Sequence, residues 1–209
     1  MAQDSVEKVV CVFCGSSSGK SPEYMKAAER MGQLIYENRW GLVYGGGTTG
    51  MMGCVAKAAA TRGAPVEGII PKALIEREQA GQTPDAASYG KTTVVYDMHT
   101  RKRMMGQKSD AFIALPGGYG TAEELFEVIT WNQLGIHSRP IVLLNTEGFY
   151  DGLMAWINNS VDAGFVSELN KKIVVCVNTP EEAIKAVNEY VPPEGRLALD
   201  WSVQSPTKD

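Results

Sequence analysis

Ala111-Phe112-Ile113-Ala114-Leu115-Pro116-Gly117-Gly118-Tyr119-Gly120-Thr121-Ala122-Glu123-Glu124 opens as an apolar strand, breaks at proline and glycine, and leads into a helix. Leu125, Val128, Ile129 and Asn132 then recur at helical spacing, which predicts a helix over 122–134. The same rhythm runs upstream. Val9–Phe13 enters Gly15-Ser16-Ser17-Ser18 and a helix over 22–38, and Leu42-Val43-Tyr44 enters Gly45-Gly46-Gly47 and a helix over 51–61. Further apolar runs fall at 66–70, 92–96, 141–144 and 173–177, with helices over 100–108, 150–163 and 180–190. Near-continuous apolar strands alternating with helices predict an α/β fold: a doubly wound, mostly parallel sheet with helices on both faces, in a single domain over 1–190. Glycines cluster where strands end, so a ligand is expected beyond the carboxyl ends of the strands. The polar stretch 72–90 breaks the rhythm and reads as a mobile loop over that edge. Residues 191–209 carry three prolines and no periodicity, which predicts a tail, partly disordered at its end.

A chain of 209 residues suits one such domain. Lys plus Arg number 20 against 24 Asp plus Glu, a net charge of −4, which argues against nucleic acid as a partner held by bulk charge. The two histidines, His99 and His137, are too few for an imidazole-rich metal site, and no metal is expected. Cys11 and Cys14 form a C-x-x-C without a second pair. They lie in a strand, where positions three apart face opposite sides, so both read as buried reduced thiols. No apolar run reaches about 18 residues and no signal core is apparent. The expectation is a cytoplasmic protein without a membrane partner.

Tyr44-Gly45-Gly46-Gly47-Thr48-Thr49-Gly50-Met51-Met52-Gly53 follows a strand and opens a helix. Glycines let backbone approach a ligand, and free helix N–H groups attract an anion, so Gly45, Gly46, Gly47 and Thr48 are candidate nucleotide contacts. Tight turns with no ligand contact are the plainer alternative. A Walker A loop is excluded because Met51 and Met52 stand where Lys and Ser or Thr would be. Gly45, Gly47 and Gly50 satisfy G-x-G-x-x-G, but the acidic residue at the usual offset, Glu67, falls inside the next strand, wrong for holding a ribose. In the second loop Gly118, Tyr119, Gly120 and Thr121 offer N–H groups and a hydroxyl to a phosphate. Glu124 has two readings. Thr121-x-x-Glu124 spells a capping box, and the same carboxylate could serve chemistry. In Met98-His99-Thr100-Arg101-Lys102-Arg103-Met104-Met105, three consecutive cations near a helix start oppose the helix dipole, so either an anion compensates them or they form a solvated basic face.

Taken together, Pro116 to Glu124 resembles the P-G-G-x-G-T-x-x-E signature of the LONELY GUY family, the cytokinin riboside 5'-monophosphate phosphoribohydrolases. Met98-His99-Thr100-Arg101-Lys102 is similar to that family's M-H-x-R-K segment. Val43 to Gly47 and Thr130 to His137 also resemble family segments, so the likeness spans roughly 9–190. The resemblance implies a Rossmann-like fold and hydrolysis of N6-modified AMP to free base and ribose 5-phosphate, without a cofactor, in a homodimer. It implies that Arg101 and Glu124 are catalytic. It further implies that Lys102, Gly118, Tyr119, Gly120, Thr121, Ala122, Glu123 and Thr130 contact substrate. Proteins with this signature have been labelled lysine decarboxylases, but no Schiff-base lysine context accompanies it here. The family's Gly-Glu-Thr loop is not matched by 81–88, so the resemblance places no substrate-contacting glutamate in that stretch.

Cleaving a ribosyl–purine bond builds positive charge on the sugar, which a carboxylate beside the anomeric carbon stabilises while orienting water; this is the role expected of Glu124. Arg101 either holds phosphate or ribose oxygens or keeps Glu124 ionised. The leaving purine needs a proton whose donor the sequence does not name. The alternatives are a broader AMP or purine nucleotide nucleosidase and a non-catalytic nucleotide or cofactor carrier on the same fold. A single-strand DNA binder is disfavoured by the acidic charge and the lack of a basic–aromatic groove.

Overall fold

The computed structural model describes residues 6–201. In chain order it forms β1 (Val9–Phe13), α1 (Pro22–Glu37), β2 (Gly41–Tyr44), α2 (Gly50–Ala60) and β3 (Val66–Pro71). A 3-10 turn (Lys72–Leu74), α3 (Ile75–Glu78) and α4 (Ala86–Tyr89) lead to β4 (Lys91–Val95), α5 (Met98–Gln107), β5 (Ala111–Ala114) and α6 (Tyr119–Gln133). Then follow β6 (Ile141–Leu144), α7 (Asp151–Asp162), α8 (Glu168–Lys171), β7 (Val174–Val177) and α9 (Pro180–Glu189). All seven strands pair in parallel in the order β4-β3-β2-β1-β5-β6-β7. The sheet is thus wholly parallel where a mostly parallel one was expected.

Alternation along each strand divides the core in two. Val10 and Val12 face Met31 and Ile35 of α1, Val55 of α2 and Ile184 of α9. Cys11 and Phe13 face Met105 of α5, Leu125 and Val128 of α6, and Leu153 of α7. Each face therefore carries three long helices, which accounts for strands apolar on both sides. Cys11 and Cys14 belong to opposite faces and are free thiols. Glu67 lies within β3, bonded to Thr93 at 2.7 Å and paired with Lys108 at 3.0 Å. No helix among the described residues is long and apolar enough to cross a membrane.

Several boundaries differ from the sequence reading for local reasons. α5 begins at Met98 because Asp97 caps it, Oδ1 accepting from Thr100 N at 2.7 Å. α6 begins at Tyr119, three residues early, with Gly118 as N-cap. The stretch 72–90 is not bare loop: it winds through three short helical turns. Residues 191–201 have no regular structure but dock on the end of α6, where Leu197 N donates to Gln133 O (2.8 Å) and Trp201 Nε1 to Leu134 O (3.0 Å). The disorder expected at the end of the tail falls on 202–209, outside the described residues.

Candidate active site

Strand order reverses between β1 and β5, and the loops after β1, β2 and β5 meet there, at the edge where such sheets bind ligands. Gly15 N donates to Pro116 O at 3.0 Å, tying the first loop to the third. The two glycine loops have different fates. At the start of α2, Met51 N donates to Ser17 O (3.4 Å), Met52 N to Gly15 O (3.2 Å), and Thr49 Oγ1 to Ser16 O (3.0 Å). The β1 loop therefore plugs that helix terminus with protein carbonyls. In α6 the ladder begins only with Ala122 N to Gly118 O (3.1 Å), so the N–H groups of Tyr119, Gly120 and Thr121 lie ahead of the first helical bond. A Cβ at Gly118 or Gly120 would stand in open space, whereas one at Gly117 would run into Thr121. The exposed terminus able to receive an anion is that of α6.

Beside it lies a pocket of about 220 Å³ whose walls include Cys14, Ser16, Glu78, Met98, Arg101 and Glu124. A second chamber of about 300 Å³, edged by Tyr24, Met51 and Phe149, shares Gly15, Ser16 and Gly118 with its lining. Arg101 and Glu124 are 6% and 8% exposed, and Arg101 Nη2 stands 3.7 Å from Glu124 Oε1. That separation is an ion pair rather than a hydrogen bond. Nη2 also donates to Gly45 O at 3.3 Å and Nη1 to Met98 Sδ at 3.7 Å, while the buried Nε has no partner. Burial pushes the Glu124 carboxyl up to about 7; Arg101 opposes that rise, Glu123 and Glu78 reinforce it, and Lys102 draws it down slightly. The capping-box reading of Glu124 fails, because Thr121 is the third residue of α6 and not its N-cap. A capping box does form at the start of α9, between Thr179 and Glu182.

The other expected contacts separate into groups. Gly118, Tyr119, Gly120, Thr121 and Glu123 line the pocket, Tyr119 with 97% exposure. Gly45, Gly46 and Gly47 do not: they are buried behind Arg101, Ile70, Met52 and Glu78. A Cβ at Gly45 would overlap Nη2 of Arg101. Thr48 also lies off the pocket wall, and its N and Oγ1 both donate to Glu78 O, at 2.8 and 3.1 Å. The first glycine loop thus seats two site residues instead of walling the pocket. Lys102 is engaged by Glu123 and by Glu127 at 3.0 Å. The anions expected opposite the basic run are therefore carboxylates of α6. Ala122 lies off the pocket wall, and Thr130 is exposed further along α6.

Glu78 was not anticipated. It ends α3, lines the pocket, and its Oε2 is shielded without a hydrogen-bond partner. Gln79, 3% exposed, turns inward and donates from Nε2 to Gly46 O at 2.7 Å. Leu74 and Ile75 ahead of Glu78 were the available hint of a seated turn. Among the described residues no cluster of three or more His, Cys, Asp or Glu could hold a metal, and no lysine lines this pocket.

A family model described as "Possible lysine decarboxylase" matches residues 52–187. Cytokinin riboside 5'-monophosphate phosphoribohydrolase LOG7 of Arabidopsis thaliana is 50% identical over 185 residues, covering 88% of this chain and 83% of that protein. LOG3 of the same plant, with the same activity in its name, is 47% identical over 97% of this chain and 93% of its own. Among solved structures, the molybdenum cofactor binding protein of Rippkaea orientalis superposes with a TM-score of 0.64 over 88% of this chain and 98% of its own; at 23% identity that likeness speaks to fold alone.

Proposed function

The chain belongs to the family of cytokinin riboside 5'-monophosphate phosphoribohydrolases, and from that premise we propose that it hydrolyses the N-glycosidic bond of N6-modified AMP, giving the free base and ribose 5-phosphate. The observation that carries the chemistry is the buried Glu124 carboxyl, 3.7 Å from Arg101, on the helix whose open N-terminus adjoins the pocket. The phosphate docks on the N–H groups of Tyr119, Gly120 and Thr121, so its binding energy positions a bond some atoms away. Glu124, ionised against Arg101, stabilises the cationic sugar as the C1'–N bond lengthens and orients the attacking water. Arg101 keeps that carboxylate charged within a buried setting.

Incubating N6-isopentenyl AMP with the protein and no additive, followed by chromatography, tests this reading. Equal amounts of free base and ribose 5-phosphate are expected. Binding without release would indicate a carrier, and equal rates with AMP would indicate a general nucleotide nucleosidase.

We also propose a homodimer in the cytoplasm. Thr130 lies nine residues beyond Thr121, about 13 Å along the α6 axis and off the wall of its own pocket, which supports a contact to substrate in a second copy. Trp156, stacked edge-on with Phe126, and the exposed Phe165 offer an apolar surface for the second copy. The four free thiols suit a reducing compartment. Analytical ultracentrifugation should find a dimer at micromolar concentration.

A further inference from the structure

Resting on the hydrolase reading above, we propose that Glu78 is the general acid that protonates the departing purine. Three acidic side chains, Glu78, Glu123 and Glu124, line one small pocket together with one arginine, and Glu123 is already engaged by Lys102. The other two are not equivalent. Glu124 has the Arg101 guanidinium at 3.7 Å, which favours its ionised form. Among the described residues Glu78 makes no ion pair within 4.0 Å, and its Oε2 is shielded from solvent with no donor aimed at it. An ionised oxygen in that setting has lost its water and gained no donor, which favours the neutral form of the Glu78 carboxyl. Burial raises the Glu78 carboxyl, against opposing effects of Arg101 and Arg77.

Glu78 is also held as an acid must be. Its carbonyl accepts from both Thr48 N and Thr48 Oγ1, and the next residue is anchored to Gly46 O. The backbone that carries this carboxyl is therefore held in place, and the side chain shares the pocket wall with Glu124 of α6. The C1'–N bond breaks with its electron pair moving to the purine, and the Glu78 proton passes to a purine ring nitrogen. Water oxygen bonds to C1' and gives its proton to Glu124. Solvent then returns a proton to Glu78 and takes one from Glu124.

The test compares two substrates that share ribose 5-phosphate: N6-isopentenyl AMP, whose leaving group needs a proton, and 4-nitrophenyl riboside 5-phosphate, whose nitrophenolate does not. Glu78→Gln should lose about 10²-fold or more in kcat on the nucleotide while staying within roughly tenfold of wild type on the nitrophenyl substrate. Glu124→Gln should lose both activities. In the unaltered protein, the nucleotide reaction should show a falling limb at high pH that the nitrophenyl reaction lacks, a readout needing no variant. Equal loss of both activities in Glu78→Gln, undiminished nucleotide turnover in it, or identical pH profiles for the two substrates would each overturn the assignment. If the unaltered protein releases no base at all, it is the hydrolase reading that fails.

Discussion

Arg101 and Glu124 come from different helices and face each other with little solvent between them, so each sets the other's charge. Glu124→Gln keeps the shape but removes the charge that the cationic sugar needs, and base release should fall by about 10³-fold with the melting transition still cooperative. The groups around Glu124 fix its pH behaviour: burial, Glu123 and Glu78 raise it, Arg101 and Lys102 lower it, and the result is about 7. Below that pH the carboxyl takes up a proton and cannot stabilise a cation. The kcat/KM of the free enzyme should therefore fall as pH drops through about 7. Arg101→Ala removes the main opposing charge, so the same limb should move to higher pH in a pH–rate profile, alongside a loss of about 10²-fold or more. An unmoved limb would mean that Arg101 acts on substrate oxygens alone. At this scale the sequence was only partly legible. Arg101 and Glu124 stood out because they sit in dense motifs. Glu78 sits in a stretch without periodicity, where Leu74 and Ile75 hint at a seated turn but do not point to this glutamate or to its seat, Thr48, 30 positions earlier.

Strand positions were readable because each is a run of apolar residues closed by glycine or proline, a pattern dictated by burial on both faces. Helix starts were less so. Gly118-Tyr119-Gly120 has poor helix propensity, and α6 begins there only because the packing of Gly117 against Thr121 and the β1 loop directs the chain into it. The sequence also presented two equivalent glycine loops. Ser17 O and Gly15 O, accepting from Met51 and Met52, make them inequivalent, and no local signal could announce a carbonyl from another loop. Adding ribose 5-phosphate to ¹⁵N-labelled protein should accordingly shift the amide resonances of Tyr119, Gly120 and Thr121 strongly and those of Met51 and Met52 weakly. The reverse pattern would relocate the phosphate to α2.

For the molecule as a whole, the alternation of elements sufficed to predict a doubly wound sheet, and its one reversal between β1 and β5 locates the pocket. The end of the chain was harder to read, because prolines without periodicity say nothing about docking. Arg196 Nη1 donates to His137 O at 2.9 Å and Trp201 Nε1 to Leu134 O at 3.0 Å, meeting carbonyls at the C-cap of α6 and three residues beyond it. Replacing both donors, as Arg196→Ala with Trp201→Phe, should cost about 1–2 kcal/mol and lower Tm by roughly 3–6 °C, with kcat/KM nearly unchanged. A differential scanning trace with no shift would show the strap to be idle. The guanidinium of Arg101 fills the volume that a side chain at Gly45 would need, so any replacement at the end of β2 evicts a group carried by α5. Damaging alleles at these two codons, 56 positions apart, should look alike in every kinetic assay, and a chromosome carrying both should be no sicker than one carrying either.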